Sequence, residues 1–491
     1  MSVLEIINGN TKKENKIFTL PIKVNPMNAS QEQALKEVEK NTLTTIIGAA
    51  GTGKSSVITA IASHFIMTGR KVLIVSKSDH AVDVVTNKIN NLGAGVVALR
   101  GGKKDSQIML ASYIMDLLEG KIDLTNNDKS NIIKYLFNQN ITEAKKILKT
   151  KRINALNELL SNNDNRKNLI IQAKSCFTKK KNQREKIMKT IDFKPILDAM
   201  PCICVTTYEI SDVLPLIKDM FDLVIADESS EMDIASFIPC AYRSKKACIV
   251  GDDKQLKSLN FLEGKKNKSF LVKYDVPSDL ELVWSYRDNS LFDFAQYYTQ
   301  KCIMLKEQYR MPENIFKFNN DKFYGGMIKS NKKAILGAIQ KVYVKNGKTE
   351  NNKTCNFAEC EAIILKLKEI LKENKDNNKS IAILSVFKAQ VDLIQKAIKE
   401  TISFEDIEKH NISVVTANSA QGAEWDICLI SWVIDNNNSK YQSLTFANNP
   451  ERLNVITSRC REQVINYYSK TNISSDCLLG QYLGSIKEEI A

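Results

Sequence analysis

The sequence predicts an α/β protein of two tandem parallel-sheet domains, the first carrying a basic all-helical insertion. Three observations predict it. Apolar runs of five to eight residues alternate with helix-patterned segments, the order that builds a parallel sheet covered by helices. The runs are continuous rather than alternating, as in strands buried on both faces. The alternation occurs twice, with a junction near residue 300.

After a lead-in over residues 1–24, the first set of runs is TLTTIIG (42–48), KVLIVS (71–76), CICVTT (202–207), FDLVIA (221–226) and ACIVG (247–251). The second set is IAILSV (381–386), ISVVTA (412–417), DICLISWV (426–433) and VINYYS (464–469). Between KVLIVS and CICVTT, residues 105–200 read as helices without a strand, as in ITEAKKILKTKRINALNELL. Residues 101–200 carry 20 Lys/Arg against 11 Asp/Glu, a net +9 out of +14 for the chain. Two readings of that basic stretch stand side by side: a solvated helical hairpin, or a nucleic-acid contact.

The bulk composition fits an ordinary globular chain, 43% hydrophobic and 26% charged over 491 residues. A net charge of +14 favours a polyanionic partner, nucleic acid first. No run approaches the ~18 apolar residues of a membrane span, and the N-terminus lacks a secretory signal. An intracellular protein without a membrane partner is expected. The 11 cysteines and 3 histidines are scattered, without zinc-ribbon spacing. Reduced thiols and no structural zinc follow.

The run TLTTIIG leads into Gly48-Ala49-Ala50-Gly51-Thr52-Gly53-Lys54-Ser55, then a helical pattern. Strand, GxxxxGK[ST] and helix in that order make a phosphate cradle. Glycines let backbone N–H groups turn in on phosphate oxygens, and the helix N-terminus adds its positive end. Lys54 is placed to reach the β and γ phosphates of ATP, and the Ser55 hydroxyl to ligate Mg²⁺. Such a cradle needs a second strand that brings carboxylates to the metal and to the attacking water. FDLVIA ends abruptly in Asp227-Glu228-Ser229-Ser230-Glu231-Met232-Asp233. Asp227 is expected to orient the magnesium, and Glu228 to polarise the water. A short acidic run is otherwise a solvated turn.

Further motifs follow in order. Ala247–Leu256 is a strand ending in GDDKQL, where the Gln255 amide suits sensing of a γ-phosphate. Then come Gln308-Tyr309-Arg310-Met311-Pro312, Gln421-Gly422-Ala423-Glu424-Trp425-Asp426 and Arg452-Leu453-Asn454-Val455 running to Arg459. In this order and spacing the chain resembles superfamily 1 helicases over about residues 25–470. It is most similar to the branch of the nonsense-mediated-decay RNA helicase and the Okazaki-fragment-processing nuclease-helicase. The resemblance implies two RecA-like domains. It implies that Gln31, in Asn28-Ala-Ser-Gln31, reads adenine, with Tyr309 as a stacking partner; the plainer reading of that stretch is a helix N-cap. It places Arg310 and Arg459 on the second domain as cations for the γ-phosphate, and Glu424 near ribose and phosphates. It puts Ser78 and His80, Thr206 and Thr207, Lys388, and Thr416 and Ser419 along a nucleic-acid strand. Thr206 and Thr207 are alternatively helix caps.

Three departures stand out. The family's Gln, four residues after its first motif acid, is Glu231 here. Only about two dozen residues precede the adenine motif, so the branch's small β-barrel is expected to be absent unless relocated. The insertion at 105–200 is larger than in relatives. The expected function is an ATP- and Mg²⁺-dependent helicase or translocase on single-stranded nucleic acid or tailed duplex. By family likeness it moves 5′→3′, with a lean to DNA. The alternatives are a translocase that remodels protein–nucleic-acid complexes with little unwinding, and a nucleotide-switched binding scaffold.

Overall fold

A computed structural model describes residues 22–125, 140–178, 180–258, 262–299, 301–350, 354–436 and 442–486. Most of the predicted lead-in, and parts of the insertion, lie outside them. By compactness the chain falls into two units. The first holds residues up to Gly48, Gly53–Asp253 and Lys257–Leu305. The second holds Ala49–Thr52, Lys254–Leu256 and Lys306 onward.

The first unit is built on a sheet of seven parallel strands. They are β1 (Leu43–Ile47), β2 (Val72–Ser76), β3 (Ala98–Arg100), β4 (Cys202–Thr206), β5 (Phe221–Ala226), β6 (Ser244–Gly251) and β7 (Ile303–Met304). Their order is β3-β4-β2-β5-β6-β1-β7. β5, the strand ending in the acids, therefore sits mid-sheet between β2 and β6. Its core positions are fully buried, as the continuous apolar run requires. Helix α1 (Ala29–Lys40) precedes β1; α2 (Lys54–Met67) follows it and α3 (Asp79–Asn90) follows β2. Two apolar clusters form the core. One gathers Val57, Ile61 and Phe65 of α2 with Ile74 and Ile225. The other joins Leu73, Val224 and Ile249 to insertion residues such as Ile114, Leu156 and Leu169.

The described part of the insertion is helical: Lys104–Leu118, Ile141–Ser161, Asn163–Cys176, Lys181–Met188 and Phe193–Ala199. Asn140, Asn162 and Asp192 each accept backbone N–H bonds at helix starts, the interaction that makes Asn and Asp favoured caps. The shared apolar cluster shows that the insertion packs into the core of its unit rather than standing free.

The second unit carries a five-stranded parallel sheet. A two-stranded pair joins β8 (Glu307–Pro312) to β9 (Lys329–Lys332). The larger sheet comprises β10 (Ile339–Tyr343), β11 (Ile381–Ser385), β12 (Ser413–Thr416), β13 (Trp425–Asp435) and β14 (Cys460–Ser469). Helices α4 (Phe357–Glu373), α5 (Lys388–Thr401) and α6 (Pro450–Thr457) matter below. Five strands were not among the runs read from the sequence: β3, β7, β8, β9 and β10. β3, β7 and β10 are all sheet edges. No helix among the described residues is long and apolar enough to cross a membrane.

Candidate functional site

In the first unit, Gly48 N donates to Gly251 O at 2.9 Å, tying the start of the cradle to the end of β6. Gly53, at φ +83°, caps α2, whose first residue is Lys54. A left-handed residue at that turn favours glycine. Lys54 Nζ lies 3.0 Å from Gly48 O and 3.6 Å from Glu228 Oε1. The lysine thus bends back over its own loop, towards the acids at the tip of β5.

Those acids are held in a tight turn. Asp227 N donates to Val75 O at 2.8 Å, closing the ladder between β5 and β2. Glu228 then adopts φ +51°, a conformation L side chains seldom take. The 3₁₀ turn Ser229–Glu231 follows, pinned by Ser229 Oγ donating to Val250 O at 2.7 Å. Burial and the adjacent Glu228 push the Asp227 carboxyl up to about 7, while Lys54 and Lys88 pull it down. Glu228 Oε2 is buried without a hydrogen-bond partner. A strained turn that ends in an unsatisfied buried oxygen is a place where structure is held for chemistry. The remaining carboxylates do other work. Asp233 caps the helix Ile234–Tyr242, and Glu231 is partly exposed.

Ser55 and Asp227 offer the hard oxygen donors that suit Mg²⁺, an ion that keeps waters and needs few protein ligands. Ser55 Oγ accepts from the Lys88 ammonium at 2.5 Å, so a cation is already drawn to that oxygen. Among the described residues no group of three or more His, Cys, Asp or Glu is placed to hold a metal.

Gln31 realises the N-cap reading. Its N–H donates to Asn28 Oδ1 at 3.0 Å, and its Oε1 accepts from Asn28 N at 3.1 Å. A Cβ at Gly53 would lie 3.0 Å from its Nε2. The same side chain therefore caps α1 and faces the cradle.

In the second unit, Tyr309 N donates to Gly51 O at 2.9 Å, and a Cβ on Gly51 would come within 2.6 Å of Arg310 Cβ. Thr52 Oγ1 closes the turn on Ala49 O at 2.8 Å, and Ala50 is buried beside it. Tyr309 is 43% exposed, its hydroxyl donating to Glu307 at 2.9 Å. Arg310 Nη1 donates to Ser458 O at 3.1 Å, and its Nη2 pairs with Glu424. Arg310 Nε is buried without a partner. Arg459 is 2% exposed; its Nε donates to Val455 O at 2.9 Å and its Nη2 to Gln255 Oε1 at 3.3 Å. Burial raises the Glu424 carboxyl, but Arg310 and Arg461 together hold it below its ordinary range. Arg461, absent from the sequence-level site, bonds Glu424 at 2.8 Å and Asp426 at 3.0 Å. Its signal was the Arg-Cys-Arg spacing at the start of β14.

The residues expected along a nucleic-acid strand all fall at strand carboxyl ends. Ser78 follows β2 and caps α3, and His80 beside it is exposed. Thr206 ends β4 and donates to Glu209 at 2.6 Å. Thr207 Oγ1 is buried without a partner. Neither threonine caps the helix Ile210–Val213. Lys388 opens α5, exposed and 2.8 Å from Asp392. Thr416 ends β12, its hydroxyl 3.3 Å from Ser419 Oγ.

AAA domain models match the chain over residues 26–261 and over residues 287–467. An uncharacterized ATP-dependent helicase of Mycoplasma genitalium is 26% identical, the match covering 71% of this chain and 32% of that protein. A regulator of nonsense transcripts 1 homolog of Neurospora crassa is 25% identical over 89% of this chain and 36% of its own. The DNA polymerase alpha-associated DNA helicase A of Saccharomyces cerevisiae is 25% identical over 90% of this chain and 65% of its own. The chain thus spans between a third and two thirds of the length of these relatives. Among solved structures, the complex of Arterivirus nonstructural protein 10 (helicase) with DNA matches at TM-score 0.39 and 9% identity, covering 91% of this chain and 65% of that one.

Proposed function

We propose, because this chain belongs to the superfamily 1 P-loop helicases in the branch of the nonsense-mediated-decay helicase, that it hydrolyses ATP to move along single strands of nucleic acid and open duplexes. One observation carries the catalytic reading: Lys54 and the unsatisfied Glu228 carboxylate meet 3.6 Å apart where the phosphate loop and the central strand end.

The roles follow from chemistry. Gln31 orients the adenine, and Tyr309 offers a face for the base. Backbone groups of Gly48, Ala49, Ala50, Gly51, Thr52 and Gly53 line the phosphates. Ser55 and Asp227 would hold Mg²⁺, which when bound supplies charge to the phosphate oxygens. Glu228 takes the proton of the attacking water and Gln255 senses the γ-phosphate. Arg310 and Arg459 stabilise charge that develops on the transferred phosphoryl group. Glu424 keeps Arg310 aimed. Ser78, His80, Thr206, Thr207, Lys388, Thr416 and Ser419 contact phosphates and sugars, which fix a strand without reading its sequence.

By family likeness the direction is 5′→3′; between DNA and RNA the reading leans only slightly to DNA. The test is ATPase activity with and without single-stranded DNA or RNA, then unwinding of tailed duplexes of each polarity. Stimulation by one strand type with unwinding of the 5′-tailed duplex is expected. No stimulation by any polynucleotide would overturn the proposal. Stimulation without strand separation would replace the helicase with a translocase.

A further inference from the structure

Below the carboxyl end of the second unit's sheet lies a polar network that the nucleotide chemistry leaves unused. Its centre is Glu359 of α4, fully buried. Glu359 Oε2 accepts from Ser431 Oγ at 2.6 Å and from Val433 N at 3.0 Å. Oε1 accepts from Ser469 Oγ at 3.1 Å and from Asn356 Nδ2 at 3.2 Å. Four donors converge on one carboxyl, which offsets part of the cost of burying its charge.

The protons run in one direction. Ser431 spends its single proton on Glu359, which leaves its lone pair facing Gln390 Nε2 at 3.1 Å. The other Nε2 proton goes to Asn356 O at 3.1 Å, and Gln390 Oε1 accepts from Asn356 N at 2.7 Å. Every amide and hydroxyl in the chain from Glu359 to Gln390 is satisfied in this one polarity. The network also holds a distortion. Val433 sits at φ +55° inside β13, where the register with β14 shifts between Ser431 and Asp435. A β-branched residue in that region is an outlier, and its N–H is bound by Glu359.

Gln390 lies in the first turn of α5, two residues after Lys388. The turn before it is fixed from the same strand: Ser385 Oγ donates to Ser431 O at 3.0 Å and accepts from Phe387 N at 3.4 Å. We propose that Glu359 is a positioning residue for nucleic-acid binding: its buried carboxylate orients Ser431, Ser431 orients Gln390, and Gln390 sets the Phe387–Lys388 turn against a phosphate. This rests on the reading of Lys388 as a strand contact.

The test measures the affinity of the full chain for labelled oligo(dT), alongside the affinity for a fluorescent ATP analogue and the melting temperature. Glu359→Gln places an amide among four donors and is expected to weaken oligonucleotide binding about tenfold, the scale of a buried bond to a charged group. ATP-analogue affinity should stay within about twofold. Gln390→Leu should reproduce that split, and the double variant should add nothing further. Equal losses for both ligands, or independent losses in the double variant, would overturn the proposal and leave Glu359 merely structural. Should Glu359→Gln fail to fold, Ser431→Ala cuts the same relay and decides by the same split. Lys388→Ala separates the two layers. If it leaves oligonucleotide affinity unchanged, the contact reading falls and takes the positioning role with it. If it weakens binding while Glu359→Gln does not, the positioning role alone falls.

Discussion

Two buried acidic sites sit at strand carboxyl ends, one in each unit, and they are finished differently. Burial pushes Asp227 and Glu359 alike up to about 7. Glu359 is met by four donors, so both of its oxygens have partners within the protein. The Asp227–Glu228 pair has one backbone donor to Asp227, a lysine 3.6 Å from Glu228, and a buried Glu228 oxygen with no partner. A carboxylate already satisfied by its own fold has nothing left to offer a ligand. One left short is held open for a metal, a water or a proton. On the proposed roles, similar burial serves a positioning group in one unit and a reactive group in the other.

The contrast can be broken most sharply at Glu228. Glu228→Gln should cut phosphate release by about 10²–10⁴-fold, the range of a lost general base. Binding of a fluorescent ATP analogue should persist. Turnover at the parent rate would show that the unsatisfied oxygen is not the base. Arg310→Ala comes next: if Arg310 acts as proposed, the expected loss is about 10³-fold in ATP turnover, the scale of an arginine finger. A loss confined to nucleotide affinity would place Arg310 in binding instead.

The satisfied site is sharpened through pH. The Glu359 carboxyl rises from 4.5 to about 7, with burial the main cause and Asp435 adding to it, against the bonds from Ser431, Val433 and Ser469. The folded chain thus holds a proton that the unfolded chain has lost between those two values. Its contribution to stability is largest near pH 4.5, falls as pH rises to 7, and is flat above. The fall is at most about 3 kcal/mol. Denaturant titrations across that window should show a shallower decline in Glu359→Gln; an identical slope would mean the group titrates normally. The smallest effect belongs to the exposed lysine. Lys388→Ala should reduce the salt dependence of oligonucleotide binding by about one unit of slope while costing little affinity at high salt.

The central strands were legible because burial on both faces writes a continuous apolar run. FDLVIA and IAILSV are of this kind. β3, with three residues, and β7, with two, carry too little of that pattern, and β10, Ile-Gln-Lys-Val-Tyr, is half-buried up to Val342 and exposed at Tyr343. The cradle was legible because its residues are contiguous in sequence: Gly48 to Gly53 form a loop that runs straight into α2 at Lys54. Arg461 was not, since its partners Glu424 and Asp426 lie 37 and 35 residues away. The Glu359 network was less visible still. Asn356, Gln390, Ser431 and Ser469 are ordinary polar residues in the sequence, and only the sheet's topology gathers them. Gln31 shows the limit of choosing one role for a residue, because capping α1 and facing the cradle use opposite ends of the same amide.

The short sheet margins also bear on how this chain behaves at high concentration. An exposed strand edge invites another chain to add to it, and brevity is one natural defence. The first unit ends in margins of three and two residues, too brief to template a stable intermolecular ladder. The second unit's sheet ends in β12, four residues long, and in β10, five residues long, both incompletely covered, with Lys341 at the middle of β10. If the protein self-associates through strand addition, these longer margins are where it begins, and removing the charge of Lys341 would favour addition at β10.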